Sequence, residues 1–362
     1  RVFVVSKLVT VVTVLFLSSE YNPSTPTPAV NFPDKRNDFS IPKRAFRLLL
    51  FVILLIAKNG IMKTLYSILI SSILFISTAS AQKWAVTDKL VATDKGIDDN
   101  HGYSVAIDGE IAVVGAYHED DSGSVSLSNA GAAYIYTYNS TMKKWTEEAK
   151  LHPSDRQVSH QFGNAVAVSG SYVVIAAAQD SGARGAVYVY EKTSGTWTLV
   201  KKLQAAQRQP NDRFGSSVAM SGDTIIVGAR HEDEDAGDAD TKQNAGSAYI
   251  YTRTSSGWTL SQKIVASDRA VSHEFGKSVA IDGDRAIIGA YKHDGDTLGK
   301  LKGAAYVFKY TSGMWTEEKK LQATDRTTDD RFAWSVGVSN AHDILGAPYQ
   351  NTDSAGANAK ST

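Results

Sequence analysis

The sequence predicts an all-β protein, a β-propeller of about five four-stranded antiparallel blades. The first observation is a six-residue pattern that recurs five times between residues 101 and 337. The second is that glycine turns and short apolar runs follow each copy in the same order. Long repeats that each contain four short strands are typical of propellers, whereas the repeats of a linear β-solenoid are shorter. The alternative is a larger propeller of which this chain is a truncated part.

The recurring pattern opens each repeat and sets its phase. The first copy is His101–Ala106, and the others begin at Phe162, Phe214, Phe275 and, in a weaker form, Phe332. The second positions of successive copies are 61, 52, 61 and 57 residues apart. This phase predicts blades near residues 102–151, 163–203, 215–264, 276–321 and 332–358, the last completed by residues 84–90.

Four strands follow in each repeat. The first strand carries small residues such as Ser104 and Ala106, which suit the crowded inner edge of a radial stack of sheets. A glycine turn leads to a second strand that is apolar at nearly every position, as at residues 111–114, so we expect it to be covered on both faces. The third strand begins with a Gly-Ala-type pair, and the fourth contains a tryptophan and ends in Lys-Leu or Lys-Ile.

These motifs resemble the FG-GAP repeat of secreted bacterial-type proteins, a blade unit also found in the head of integrin α-subunits. The Phe-Gly dipeptide stands at 162–163, 214–215 and 275–276, and an intact Gly-Ala-Pro stands at 346–348. The resemblance covers about residues 84–357 and implies the propeller fold, but a fold alone does not define a function.

The resemblance does not bring a calcium site with it. Integrin-like blades often hold calcium in an Asp-rich loop between their first two strands. Here that position is a turn of two or three residues, such as Asp108–Glu110. Such a turn has no room for the six to eight oxygen ligands that calcium takes.

The segment at residues 62–81 has the pattern of a secretory signal peptide. It begins with Met62, the first methionine of the chain, continues with an apolar run from Leu65 to Ile76, and ends with Ala79–Ala81 before Gln82. A short apolar run after a charged start and before a small-x-small site is typical of a cleaved signal, and a membrane span needs about 20 apolar residues. We therefore expect an exported protein, secreted or at the cell surface.

The rest of the chain divides around that segment. Residues 1–61 are interpreted as an upstream or leader segment outside the mature protein, and residues 82–362 as the propeller. The alternative for residues 1–61 is a membrane-anchored leader with two short apolar spans.

Charge and cysteine content exclude several classes of protein. The whole chain has 38 basic and 38 acidic residues, but residues 1–81 hold nine basic and three acidic ones, so residues 82–362 carry a net charge of −6. A nucleic-acid-binding protein would have a basic excess. The absence of cysteine excludes a disulfide scaffold, a cysteine zinc site and a cysteine nucleophile.

The loops between the second and third strands are rich in carboxylates. They share a face with the loops that enter the first strands, so both sets should lie at one rim. One interpretation is a solvated acidic face with ordinary Asp-Arg loop pairs. The other is a site for calcium or another hard cation, which prefers carboxylate oxygens. Its candidate ligands are Glu119, Asp120, Asp121, Glu232, Asp233, Asp235, Asp294 and Asp296.

No catalytic motif stands out. The chain has no Gly-x-Ser-x-Gly elbow and no phosphate-binding glycine loop followed by Lys-Ser/Thr. The sequence therefore predicts a non-enzymatic interaction or adhesion module that binds an extracellular protein or glycan. The alternative is a secreted hydrolase or lyase acting on polysaccharides, because paired carboxylates serve glycoside hydrolysis.

The two ends of the repeat region look complementary. Trp84–Leu90 matches a fourth strand with no strands before it, whereas the last repeat has two strands and only a stub of a third at Gly356–Asn358. Propeller-like folds avoid exposed sheet edges. The sequence therefore predicts that Trp84–Leu90 is the outer strand of the last blade.

Overall fold

The computed structural model describes residues 2–8, 83–120, 127–294, 300–339 and 342–350. Its strands form four sheets of four strands and two sheets of two. The first pair is β1 (Val2–Leu8) with β2 (Lys83–Leu90). Blade 1 contains β3 (Ser104–Asp108), β4 (Ile111–Ala116), β5 (Ala132–Asn139) and β6 (Lys144–Leu151). Blade 2 contains β7 (Val166–Ser169), β8 (Tyr172–Ala177), a helical turn α1 (Asp180–Ala183), β9 (Ala186–Thr193) and β10 (Thr196–Leu203).

The later blades repeat this order. Blade 3 contains β11 (Phe214–Ser221), β12 (Thr224–Ala229), β13 (Ser247–Thr254) and β14 (Gly257–Ile264). Blade 4 contains β15 (Phe275–Asp282), β16 (Arg285–Ala290), β17 (Ala304–Thr311) and β18 (Met314–Leu321). Blade 5 contains β19 (Ser335–Val338) and β20 (Asp343–Gly346). The predicted all-β class and the four-stranded antiparallel blade are therefore confirmed.

Successive blades meet through their first strands. β3 packs against β7, β7 against β11, β11 against β15, and β15 against β19. Within each four-stranded blade every strand pairs antiparallel with the next one along the chain. The first strand is thus the inner edge of each sheet, and the five blades form a propeller-like array within one compact unit.

The second strand of each blade lies in the middle of the core, as predicted. In β4, Val114 belongs to a buried cluster with Leu90 and Tyr134, whereas its neighbour Val113 packs with Phe162 of blade 2. Alternate side chains of one strand therefore enter two different interfaces. This explains the unbroken apolar run, because both faces of the strand are covered.

The glycines of the repeat motif meet between blades. A Cβ atom on Gly115 would lie 2.0 Å from the carbonyl oxygen of Gly163 in the next blade. That same oxygen accepts a hydrogen bond from the Ser104 hydroxyl at 2.8 Å. Gly163 itself has a φ angle of 90°, which favours glycine. The Phe-Gly and Gly-Ala elements are therefore the two sides of one contact between neighbouring blades.

The predicted pairing of Trp84–Leu90 with a third strand of blade 5 stays a prediction, because the described part of blade 5 has only its first two strands. β2 pairs with β1, a valine-rich run of high β propensity that offers its own backbone hydrogen bonds. The predicted stub of a third strand in blade 5 lies outside the described residues.

The segment after β2 nevertheless contacts blade 1 as an outer strand would. Leu90 packs into the blade 1 core, and the Thr93 hydroxyl donates to Glu147 at 2.8 Å. Ser267, in the loop that enters blade 4, makes the same bond to Glu317 of that blade.

The inner strand of blade 1 differs from its equivalents in exposure. Val105 and Ile107 of β3 are 58% and 60% exposed. Their counterparts in blade 2, Val166 and Val168, are 8% and 9% exposed because blade 1 covers them. The face of blade 1 that a preceding blade would cover is therefore open at its inner strand.

Candidate functional site

One cavity is lined by residues from all five blades. Its volume is about 480 Å³, and we call it the axial pocket. The residue that follows the Phe-Gly position in each repeat contributes to it. Its lining consists of Tyr103, Tyr117, Gln161, Asn164, Ala178, Gln179, Arg213, Ser216, Arg230, Lys277 and Trp334.

The blade architecture explains why these residues converge. Five of them stand at or just before the start of a first strand, and Tyr117, Ala178 and Arg230 follow the end of a second strand. In an antiparallel hairpin the start of one strand lies beside the end of the next. We call this edge of the blades the loop face, because it also carries the acidic loops.

The lining positions differ chemically from blade to blade. The five residues that follow the Phe-Gly position are tyrosine, asparagine, serine, lysine and tryptophan in blades 1 to 5. The glycines and the apolar strands that build the blades are, by contrast, repeated. Packing within the blades therefore does not dictate which side chains face the pocket.

Three cations line the axial pocket from blades 3 and 4: Arg213, Arg230 and Lys277. No carboxylate is among the described residues that line it. The carboxylate of Glu274 lies beside the pocket, 3.5 Å from the Arg230 guanidinium. Glu274 also forms an ion pair with Lys292 at 2.5 Å, so its negative charge is divided between Lys292 and Arg230.

Burial and mutual repulsion act on these cations. Burial lowers the pKa of Lys277, and the charges of Arg230 and Arg213 lower it further, against the opposing effect of Glu274. Burial and Arg230 likewise lower the pKa of Arg213, whose Nε is buried without a hydrogen-bond partner among the described residues. The pocket is therefore positive and incompletely compensated.

Basic side chains around Glu274 keep it in its ionised carboxylate form. Burial alone would raise its pKa, but hydrogen bonds from His231 and Lys292 and the charge of Arg230 lower it to about 2. It is thus ionised at neutral pH and offsets part of the positive charge beside the pocket.

Aromatic rings flank the cations on two sides. On blade 1 the rings of Tyr103 and Tyr117 lie with centroids 4.3 Å apart. On blade 5 the Trp334 ring lies 4.6 Å from the Lys277 ammonium and packs edge-on against Tyr291 at 4.8 Å. A cation over an aromatic face is favourable, and the rings also offer apolar surface to a ligand.

The acidic loops lie on one rim, as predicted, and lysines bridge them. In blade 1 the Lys150 ammonium lies 2.6 Å from Asp94, in the loop that enters the blade, and 2.6 Å from Glu119, in the loop after β4. Arg156 lies 3.6 Å from the other oxygen of Glu119. Asp120 accepts a hydrogen bond from the backbone of Asn129.

Blade 3 has the most deeply buried member of this set. Glu232 is fully buried, with Lys263 at 3.2 Å and the Tyr249 hydroxyl at 2.9 Å. Burial raises the pKa of Glu232 to about 8, against the lowering effect of Lys263, and the nearby Asp212 adds to the rise.

The remaining predicted ligands bind their own loops. Asp233 accepts from the backbone of Asn244, Asp235 accepts from the backbone of Gly237 and Ala239, and Asp294 accepts from the backbone of Leu301. Asp121 and Asp296 lie outside the described residues. Among those that are described, no group of three or more histidine, aspartate or glutamate side chains is arranged to hold a metal ion.

The sequence reasoning missed the partners of these carboxylates. Each four-stranded blade places a lysine of its fourth strand and a tyrosine of its third strand against a carboxylate of the loop face, which is a predicted ligand only at Glu119 and Glu232: Lys150 and Tyr134, Lys202 and Tyr188, Lys263 and Tyr249, Lys320 and Tyr306. The lysine and the tyrosine recur at the same position of each repeat in the sequence. That recurrence was the signal from which their role could have been predicted. A cation bound at these loops would have to compete with the lysines.

A sequence profile of the FG-GAP repeat matches the chain five times, at residues 84–136, 145–190, 197–251, 258–308 and 315–361. The chain belongs to the FG-GAP repeat family. The first FG-GAP match starts at Trp84 of β2 and the other four start at the tryptophan of a fourth strand, so the family repeat is offset by one strand from the blade. No curated protein matches the chain.

Membership in the FG-GAP repeat family indicates the general class of protein to which this chain belongs. FG-GAP repeats are associated with propeller-like protein-interaction modules and are typical of extracellular proteins. In the part of the chain that the structure describes, no helix has the length and apolar character needed to cross a membrane.

Proposed function

We propose that this FG-GAP protein is an exported, non-enzymatic interaction module that binds an extracellular protein or glycan through its loop face. The observation that carries the proposal is the axial pocket, whose lining changes in every blade while the framework repeats. Variation confined to one face of a repeated scaffold is how repeat proteins build a specific binding surface.

Export is supported by the sequence pattern before the repeats. Residues 62–81 have the order of a secretory signal, with cleavage before Gln82, and the chain has no cysteine to be oxidised outside the cell. Export has a direct test: production of the full chain with a C-terminal tag should release protein whose first residue is Gln82. Retention inside the cell with residues 62–81 intact would contradict export.

A role without catalysis is supported by the state of the carboxylates. Hydrolysis of a glycoside needs two carboxyl groups that face the same bond, roughly 5–10 Å apart. The described lining of the axial pocket has neither carboxylate nor histidine. Glu232, which has a strongly raised pKa, is fully buried and offers no surface to a substrate.

The test of this function combines binding with turnover. Purified full-length protein is applied to arrays of extracellular-matrix proteins and polysaccharides, and the same polysaccharides are assayed for new reducing or unsaturated ends. We expect saturable binding to at least one component and no turnover. Turnover that a single Asp→Asn or Glu→Gln substitution abolishes would show that the protein is an enzyme instead.

A further inference from the structure

We propose that the axial pocket binds an acidic sugar unit of a glycan, with its carboxylate or sulfate against Lys277, Arg213 and Arg230. This inference rests on the proposed binding function and names the ligand class of the same face. It is carried by the cavity, by three cations lining it, and by the aromatic rings on either side.

The cations are better explained by a ligand than by folding. Lys277 makes no ion pair with a carboxylate among the described residues, and Arg230 and Arg213 disfavour its charge while Glu274 favours it. Burying like charges together costs free energy of folding, and residues in that condition cluster at binding sites. An anionic group would supply the missing counter-charge and an acceptor for the donors of Arg213.

The rest of the lining fits a sugar. Gln161, Gln179 and Ser216 offer neutral donors and acceptors, which match a ligand rich in hydroxyl groups. Tyr103 and Trp334 offer aromatic faces, on which the apolar side of a sugar ring can pack. A volume of about 480 Å³ lies within the range of small-ligand sites.

An acidic peptide is the less favoured occupant. Extended peptides commonly bind by pairing their backbone with a free sheet edge. The pocket is built instead from side chains, and backbone groups at its wall are already used: Asn164, for example, bonds to the Gly215 carbonyl and the Ala178 amide. The acidic peptide therefore serves as a contrasting probe.

The experiment is calorimetric titration of the full chain with matched probes. The acidic probes are trigalacturonate, a glucuronate trisaccharide and a sulfated trisaccharide, and each has a neutral counterpart, the methyl ester or the unsulfated sugar. Hexaglutamate represents the acidic peptide. We expect at least one acidic sugar to bind about tenfold or more tightly than its neutral counterpart, because a charge-assisted hydrogen bond is worth about that factor.

Two variants and a control locate the site. Lys277→Met should weaken the acidic sugar about tenfold and leave its neutral counterpart unchanged. Trp334→Leu should weaken both, because it removes a wall of the pocket. Lys201→Met changes an exposed lysine of β10 outside the pocket and should alter neither affinity. Lys277→Met should melt close to the wild type, because the partly buried charge that it removes has no carboxylate ion pair among the described residues, which offsets the loss of its contact with the Trp334 ring.

Each other outcome overturns the inference. If no acidic sugar binds more tightly than its neutral counterpart, or if Lys277→Met binds it as well as the wild type does, the pocket is not the site. If hexaglutamate binds and Lys277→Met abolishes that binding, the ligand is a peptide. Array binding that survives the Lys277→Met change would leave the broader binding function intact while this inference fails.

Discussion

Replacing Glu232 by Gln should remove a large part of the pH dependence of stability. Glu232 is fully buried, and its two oxygens accept hydrogen bonds from Lys263 and Tyr249. Burial raises its pKa to about 8 from an ordinary value of 4.5. The folded state therefore holds a proton that the unfolded state releases, and the stabilisation present at low pH is lost as pH rises toward 8.

The magnitude follows from the size of the shift. At 1.36 kcal/mol per pKa unit, the full shift corresponds to roughly 4–5 kcal/mol in the free energy of unfolding between about pH 4.5 and pH 8. Gln keeps an oxygen for the Tyr249 hydroxyl but does not titrate. The free energy of unfolding of Glu232→Gln, relative to the wild type, should therefore rise by about 4 kcal/mol from pH 5 to pH 8.

Urea unfolding at pH 5, 6.5 and 8, at constant ionic strength, measures this difference. Glu318→Gln is the matched control, because Glu318 is exposed on β18 and should leave the pH dependence unchanged. Asp212, whose pKa burial raises to about 7, contributes in the same direction and should retain part of the slope in the variant. Equal slopes for the wild type and Glu232→Gln would refute the argument from burial.

Four further outcomes test the blade interfaces and the acidic loops. Gly228→Ala places a Cβ 2.0 Å from the Gly276 carbonyl oxygen and should cost about 1–3 kcal/mol in urea unfolding; no loss would mean that blades 3 and 4 separate freely. Phe275→Ala, at a fully buried site between blades, should cost about 3–5 kcal/mol, and a cost under about 1 kcal/mol would contradict its central place in the core. Val279→Ser should cost about 2 kcal/mol and the exposed equivalent Val105→Ser under about 0.5 kcal/mol, whereas equal costs would show that the inner strand of blade 1 is covered. Millimolar calcium should raise the melting temperature if the acidic loops bind it, and an unchanged value would remove the cation hypothesis.

Much of the fold followed from the sequence because the repeat is local. The order of strands, the glycine turns and the two-sided burial of residues 111–114 are properties of one repeat, and periodicity reports them directly. Five in-phase copies then specify a propeller-like stack, because each blade covers its apolar faces only against its neighbours. The common rim of the acidic loops also followed, since hairpin geometry fixes which loops share an edge.

Contacts between different repeats could be identified only from the tertiary structure. The sequence offered the acidic loops as the site, but only the packed blades revealed that Lys150 pairs with Glu119 and Lys263 with Glu232. The pairing of Lys83–Leu90 with Val2–Leu8 likewise has no signal in the repeat pattern, since any β-prone run can supply the same backbone hydrogen bonds.

The axial pocket is the clearest case of what the sequence left open. Tyr103 and Trp334 are far apart in the chain, and nothing in either local pattern links them. They line one cavity because every blade points the start of its first strand toward one axis. A repeat pattern identifies the residues that all blades share, and the side chains at this axis are those that the blades do not share. Only the geometry of the assembled blades reveals that the differing residues form one surface.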